Sequence, residues 1–276
     1  MDRVERHQNL LAAMSTSFVD GLRLIAPECL PVAGGLVGRG RPGRWVNLAV
    51  SLGVNGPLSD ADVATITAYH AAVGAEPRVE LVDEVDKAVL LVLASAGYRL
   101  HHLETAFAID LTADLPPLDE RIVEQSANIR AGDDAADGYI LATERGFSGE
   151  DDDMPEVERA EWRHHLRLPG VRSFGALIDG AIVGAGSSMV TDARPGLPRV
   201  AMLFAGSVRE PFRRRGLHAG LIAARLRAAR DDGCDAAIVF GPSGGATTRN
   251  ARRLGMTPLC VLSTLHRPGD GLTSSL

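Results

Sequence analysis

Apolar and polar positions fall into two successive series of strand and helix patterns, separated by a proline-rich acidic stretch. In the first series Ser59 caps a helix whose apolar positions are Val63, Ile66 and Tyr69. Pro77 opens a strand, Arg78 to Val82. A helix near Lys87 to Ala96 then stops at Gly97, a residue free to take the left-handed conformation of a helix end. Leu103 to Leu111 alternates as a strand. The separating stretch, Thr112 to Glu120 (TADLPPLDE), reads as a linker. In the second series, helices fall near Asp137 to Thr143 and Glu156 to Leu166, with the acidic Gly149 to Met154 between them as an exposed loop or helix start. Phe174 to Ile178 and Ile182 to Val190 form a hairpin about Asp179-Gly180. Arg194 to Pro198 is a turn before a strand at Val200 to Val208. A helix follows from about Gly216 to Arg230, then a buried strand at Ala236 to Phe240. A short helix ends at Leu254-Gly255, and Leu259 to Leu265 closes the series.

The two series echo each other. Val79 to Gly97 spans the same number of residues as Ala237 to Gly255, and each span runs strand, helix, glycine, strand. A tandem of related domains leaves such a trace. The fold class is therefore α/β (α+β), in two halves at residues 1–113 and 121–267. Each is expected to be a mixed, mostly antiparallel sheet flanked by helices.

Composition adds constraints. Hydrophobic residues make up 45% of the 276 residues, enough to bury a core, but only 4% are aromatic, so Leu, Val, Ile and Ala must build it. The net charge of −6 and the lack of a basic stripe with interleaved aromatics argue against a nucleic-acid partner. No apolar run approaches the roughly 20 residues of a membrane span. Met1 to Met14 carries Asp2, Arg3, Glu5 and Arg6 and has no leader-like apolar core. No membrane partner and a cytoplasmic location are expected. Cys29, Cys234 and Cys260 lie far apart without a second ligand nearby, so neither a disulfide framework nor a metal site is expected. The pairs His101-His102 and His164-His165 do not read as metal sites, because neighbouring side chains diverge.

The chemistry concentrates at Val208 to Leu221, VREPFRRRGLHAGL. A strand ends here and a helix begins. Gly216 at the turn lets an anion approach the backbone, the helix start offers free N–H groups and partial positive charge, and Arg213, Arg214 and Arg215 add full charge. This suits a pyrophosphate. The P-loop signature is absent because its lysine is missing, and G-x-G-x-x-G fails because position 218 is His.

The segment resembles the acetyl-CoA motif of the GNAT family (GCN5-related N-acetyltransferases), [QR]-x-x-G-x-[GA]. Arg213 to Gly216 supplies R-x-x-G, Val208 the strand-end valine, and His218 departs from the last position. Ser243 to Met256 (SGGATTRNARRLGM) is similar to the second motif of a tandem-domain subgroup, T-S-x-R-N-x-E-R-x-G-F, through Thr247, Arg249, Asn250, Arg253 and Gly255. The resemblance covers about Val200 to Arg267. It implies acetyl-CoA as co-substrate, no metal, and a pyrophosphate held by Arg213, Arg214, Arg215, Gly216, Leu217, His218 and Ala219. Ser207 and Val208 would lie at the thioester and Asn250 at the pantetheine arm. Pro31 to Gly35 and Gly97-Tyr98 resemble the degenerate first half of that subgroup, and the Gly-rich run Gly34 to Gly43 is not followed by a helical pattern. The first half is read as lacking the CoA motif.

The resemblance also implies a tyrosine acid four residues before the late glycine, but that position is Ala251, and the tyrosines are Tyr69, Tyr98 and Tyr139. Ser243, Thr247 and His218 remain as weak catalytic candidates, each with a structural reading as helix cap or helix start. Glu144 and Glu161 could serve an acceptor pocket or a solvated helix face. Three classes stay open: an N-acetyltransferase for a small-molecule or protein amine, a CoA-thioester-binding protein without transfer, and another acyl-CoA reaction such as decarboxylation. The acceptor is expected in a cleft formed partly by the acidic Gly149 to Met154 region and the helices of Asp137 to Leu166. A homodimer is left open.

Overall fold

The computed structural model describes residues 2–54, 56–82, 85, 87–149 and 154–274. The elements in chain order are α1 (Arg3–Ile25), β1 (Glu28–Val32), β2 (Gly35–Arg39), β3 (Leu48–Val50), α2 (Asp60–Ala71), β4 (Arg78–Val82), α3 (Lys87–Ser95), β5 (Arg99–Asp110), β6 (Ile122–Glu124), α4 (Ser126–Ala131), α5 (Asp133–Phe147), α6 (Glu156–Leu166), β7 (Val171–Ile178), β8 (Ala181–Val190), β9 (Val200–Val208), α7 (Leu217–Asp231), β10 (Ala236–Pro242), α8 (Ala246–Arg253) and β11 (Thr257–His266). The fold class is α/β, with mixed sheets flanked by helices. Sequence patterning places most elements after residue 59 but gives no hint of α1, β1, β2, β3, β6 or α4.

The chain forms two compact units. The N-terminal unit comprises residues 14–106 and 259–276, and the C-terminal unit residues 1–13 and 107–258. This division differs from 1–113 and 121–267 at both chain ends, for identifiable reasons. The last strand, β11, pairs antiparallel with β4, from Leu262↔Val82 to His266↔Arg78, and so completes the N-terminal sheet. At the other end Arg6 pairs with Asp110. Thr112 to Glu120 is no free linker either. The Leu111 N–H donates to the Asp235 carbonyl at 3.0 Å, and the Arg227 guanidinium donates to the carbonyls of Leu115 and Pro116.

In the N-terminal unit the strand order is β1-β2-β3-β4-β11-β5. Neighbouring residues face opposite sides of a strand. Thus Val37, Ala49, Val79 and Leu81 pack with Val63 and Ile66 of α2 and Val89 and Leu93 of α3, whereas Leu36, Leu48 and Val50 pack with Leu22 and Phe18 of α1. His70 is sealed in this unit, with its Nε2–H donating to the Gly38 carbonyl at 2.9 Å and its Nδ1 bare. His101 and His102 meet edge to face, their ring centroids 5.0 Å apart.

In the C-terminal unit the order is β5-β10-β9-β8-β7-β6, antiparallel between β6, β7, β8 and β9 and parallel between β9 and β10. One sheet face packs on α7 and α8 through Ala201, Leu203, Ile222, Leu226, Val239 and Ala251. The other packs on α4, α5 and α6 through Ile129, Tyr139, Ile140, Leu166 and Ala185.

Candidate functional site

Two irregularities in β9 shape the site. The first is a bulge. Ser187↔Phe204 and Ala185↔Ser207 pair across β8 and β9, so β9 carries one extra residue, and Ala205 has φ of 50°. A one-residue insertion reverses the facing of everything after it. Before the bulge Ala201 and Leu203 face α7; after it Val208 does, and Ser207 turns to the other side. The second is a divergence. The parallel pairing of β9 and β10 runs from Val200↔Ala236 to Leu203↔Val239 and stops, although both strands continue. A wedge opens between them. The Arg209 N–H donates to the Val183 carbonyl of β8 at 2.9 Å. Since N–H direction alternates along a strand, the Val208 N–H points to the side that β10 has left.

The bulge is clamped from beneath by Arg225. This side chain is 1% exposed, and its guanidinium donates to the carbonyls of Leu221 (2.9 Å), Ser187 (3.1 Å) and Phe204 (3.0 Å). It has no carboxylate partner among the described residues, and burial lowers its pKa to about 10. Gly186 and Gly206 make the space, for a Cβ at either would lie 3.0–3.1 Å from the guanidinium. On the other face Tyr139 shares a hydrogen bond with Ser187 Oγ at 2.8 Å, and Ser187 with Ser173 Oγ at 3.1 Å. The sequence held a signal for Arg225, which lies between Leu221 and Leu226 on the buried side of α7.

After β9 a single 3-10 turn, Glu210–Phe212, leads into the loop. Arg214 and Gly216 both have positive φ, 63° and 82°. Such a left-handed pair turns successive N–H groups toward one point, the arrangement that cradles anions. α7 begins at Gly216 with no side-chain cap and no acid in its first turn. Gly220 is the first residue whose N–H reaches a carbonyl, that of Gly216 at 3.0 Å. The amides of Leu217, His218 and Ala219 therefore stand as open donors.

The three arginines do different things. Arg213 turns back, donating to the carbonyls of Val208 and Gly146 at 3.0 Å each, so it ties the loop to β9 and α5 rather than facing an anion. Arg215 lies over the Phe212 ring and donates to the Pro211 carbonyl. Arg214 is exposed. A further cation was missed in the sequence. Arg121, paired with Asp119, donates to the Arg215 carbonyl at 3.1 Å and lies 3.9 Å from where a Cβ on Gly216 would be. Ser207 lies beside Val208 with its side chain engaged elsewhere. Its Oγ donates to the Thr143 carbonyl of α5 at 3.0 Å.

Across the wedge stands α8. Its N-cap is Gly245, with no side-chain cap, and Thr248 bonds back to the Gly245 and Pro242 carbonyls. Asn250 and Thr247 face the wedge and meet His218: Asn250 Nδ2 donates to His218 Nδ1 at 3.1 Å, and Thr247 Oγ1 lies 3.5 Å from Nε2. An accepting Nδ1 fixes the neutral Nε2–H tautomer. Burial, then the Arg225 charge, lower the His218 pKa to about 4. Ala251 is fully buried in the core with Ile222 and Leu226, so the residue of α8 presented to the wedge is its neighbour Asn250.

The helices expected at an acceptor pocket carry compensated charge. Asp137 and Glu156 both pair with Arg163, and Asp133 with Arg167. Glu144 accepts from Ser148. Glu150 to Asp153 lie outside the described residues. No group of three or more His, Cys, Asp or Glu among the described residues has the geometry to hold a metal.

Residues 138–256 match the acetyltransferase (GNAT) family. That segment holds the whole wedge, from α5 to α8, and it forms a GNAT-family acyltransferase domain. The chain is similar in fold to a GCN5-related N-acetyltransferase from Kribbella flavida, with TM-score 0.68 and 19% identity over 95% of this chain and 96% of that one. It is also similar to a tandem GNAT protein from the clavulanic acid biosynthesis pathway, with TM-score 0.59 and 15% identity over 98% and 97%. A functionally unknown conserved protein from Staphylococcus epidermidis shares the fold at TM-score 0.58 and 11% identity, over 92% and 98%. The sequence matches no curated protein.

Proposed function

We propose that the C-terminal unit is an acetyl-CoA-dependent N-acetyltransferase. The observation that carries this reading is the uncapped start of α7, where the amides from Arg214 to Ala219 turn toward one point beside a strand pair that has come apart. A pyrophosphate on those amides replaces the missing cap and meets the positive end of the helix. Arg214 and Arg121 supply the nearby charge. The pantetheine arm runs into the wedge, and the Val208 N–H polarises the thioester carbonyl, the group on which negative charge develops as an amine attacks. Arg225 adds a buried cation behind that point. The wedge holds no tyrosine acid, so the leaving thiolate takes its proton from solvent or from the ammonium formed on the acceptor. The acceptor is an amine, small or on a protein, and the work is done in the cytoplasm without nucleic acid, membrane or metal. No helix among the described residues is long and apolar enough to cross a membrane.

The test is calorimetric titration with acetyl-CoA, followed by an assay of thiol release over a panel of amines. Gly216→Val, checked for folding by circular dichroism, is expected to lose most of the affinity, because it crowds and strains the loop. Unchanged affinity in the folded variant removes the loop as phosphate site. Binding without thiol release on any amine leaves an acyl-CoA binder in place of a transferase, the reading favoured by the core-packed Ala251.

A further inference from the structure

His218 stands where the family pattern has glycine or alanine. Its ring reaches from the β9 bulge to α8. A Cβ on Gly206 would lie 3.4 Å from Nε2, while Asn250 and Thr247 hold the ring from the far side. That line crosses the wedge just beyond the last paired residues, Leu203 and Val239. A linear arm that joins a pyrophosphate on the α7 amides to a thioester at the Val208 N–H must pass the same place, and two groups cannot fill one volume. We propose that His218 is a gate residue of the wedge: its imidazole swings out to admit the arm of an acyl thioester, and Asn250 and Thr247 then turn their polar groups from the ring to the amides of the arm. This deepens the acetyl-CoA reading above and rests on it.

The groups around the ring give the gate a pH dependence. From its own helix it faces the Arg225 cation, from α8 the neutral Asn250 and Thr247, and from β9 the Gly206 backbone. No carboxylate among the described residues acts on it. The closed ring is therefore neutral, with its pKa moved from 6.5 to about 4. Swung into water it regains its ordinary basicity. Between these two values the open state binds the extra proton, so acid favours opening and alkali favours closure. With the closed state dominant at pH 7.5, lowering the pH to 5.5 raises the open fraction, and the apparent affinity for an arm-bearing ligand, by roughly tenfold.

The experiment titrates acetyl-CoA and, separately, adenosine 3′,5′-diphosphate, which has no pantetheine arm, into the wild-type chain, His218→Ala and His218→Phe at pH 7.5 and 5.5. The phosphate monoesters, one in acetyl-CoA and two in the nucleotide, titrate near pH 6, so each pH effect is read as the difference between proteins for one ligand. His218→Ala is expected to bind acetyl-CoA several-fold more tightly than wild type at pH 7.5 and to lose the tenfold pH term. His218→Phe, which keeps the bulk without the proton, is expected to bind no better than wild type and to lose the same term. The armless nucleotide is expected to bind all three alike. Acetyl-CoA affinities that respond to pH identically in wild type and both variants overturn the gate while leaving the CoA site standing. Failure of both ligands to bind any of the three proteins removes the CoA reading, and the gate with it.

Discussion

Two helices, α2 in the N-terminal unit and α7 in the C-terminal unit, each follow a strand and lead into a parallel neighbour, β3 to β4 and β9 to β10. Their starts differ in one respect that decides what each can bind. At α2 the Ser59 Oγ accepts from the Asp62 N–H and the Asp62 carboxylate accepts from the Ser59 N–H, a reciprocal capping box with Asp60 beside it. The helix has already neutralised its own positive end. At α7 the cap is Gly216, the third helical residue is Ala219, and no side chain among the described residues caps the amides. The elements further along remain alike. α3 and α8 end in the same way, with the Tyr98 N–H reaching the Leu93 carbonyl and the Met256 N–H the Ala251 carbonyl at 3.0 Å each, across Gly97 and Gly255 at positive φ. One frame thus carries an open helix start in one half and a self-sealed one in the other, and the difference lies in two or three side chains.

The largest expected effect comes from writing the α2 solution into α7. Ala219→Asp puts a carboxylate at the third helical position, where it takes the amides meant for phosphate and repels what remains. Loss of even one charge-assisted hydrogen bond is worth about 1.5–3 kcal/mol, and here several go together, so acetyl-CoA affinity should fall by more than about tenfold. The thermal midpoint should hold or rise, since an acid in the first turn stabilises a helix. Retained affinity in calorimetry would refute the contrast between the two helix starts.

Next in size is a pH effect in the sealed half. His70 is fully buried and its pKa is lowered from 6.5 to about 4, first by burial and then, against the Gly38 hydrogen bond, by Arg78 and Arg39. The unfolded chain binds this proton more readily, so stability from His70 is complete above pH 6.5 and is lost as pH falls toward 4. The loss amounts to about 3 kcal/mol over that window. Denaturant titrations at pH 7 and 4.5 should show it, and His70→Gln should flatten it. His218 shares the direction of shift but faces a wedge instead of a sealed core, so its proton bears on ligand admission.

A third effect sharpens the role of β9. A Cβ on Gly146 would lie 2.5 Å from Ser207 Oγ, which means α5 rests directly on the strand just before Val208. Gly146→Ala should cost about 1–3 kcal/mol in overpacking and displace β9, weakening acetyl-CoA binding as well. Adding Ser207→Gly should recover most of both losses; a double variant as impaired as the single one would contradict this packing account. The smallest effect is Ser59→Ala, expected to lower stability by about 1 kcal/mol through loss of the cap, with no CoA binding gained in the N-terminal unit as read by titration of that variant carrying Ala219→Asp.

What could be read in the sequence was local. The anion loop depends on Gly216, an arginine run and a helix stripe within fourteen consecutive residues, and all of these lie adjacent in the chain. The α3 and α8 ends were legible for the same reason. The Ser59 cap was legible too, although its consequence, a closed anion site, emerged only beside α7. What stayed hidden depends on distant partners. Arg213 resembles a phosphate ligand until Gly146 and Val208 turn out to hold it. Arg225 and Arg121 acquire meaning from the bulge and the loop they reach. The strands β1, β2 and β3 are only three to five residues long; β1 contains Pro31, β2 two glycines, and β2 and β3 are buried on both sides, so neither alternation nor helical period marks them. α1 does carry a local cap signal, Asp2, whose carboxylate accepts from the Glu5 N–H at 2.8 Å, but its charged first turn masks the apolar stripe that follows.

The position of β11 bears on how the chain reaches its native state. In the N-terminal unit this strand lies between β4 and β5, which cannot meet without it. A ribosome therefore releases β4 and β5 long before the strand that joins them exists. The early half must wait, with the β4 edge unpaired and the place of Leu265 in the core unfilled, until β11 emerges. Folding of this unit is thereby deferred until the intervening elements β6 to β10 have been made, into a slow search among non-local pairings, and during that wait the chain is open to aggregation and to chaperones.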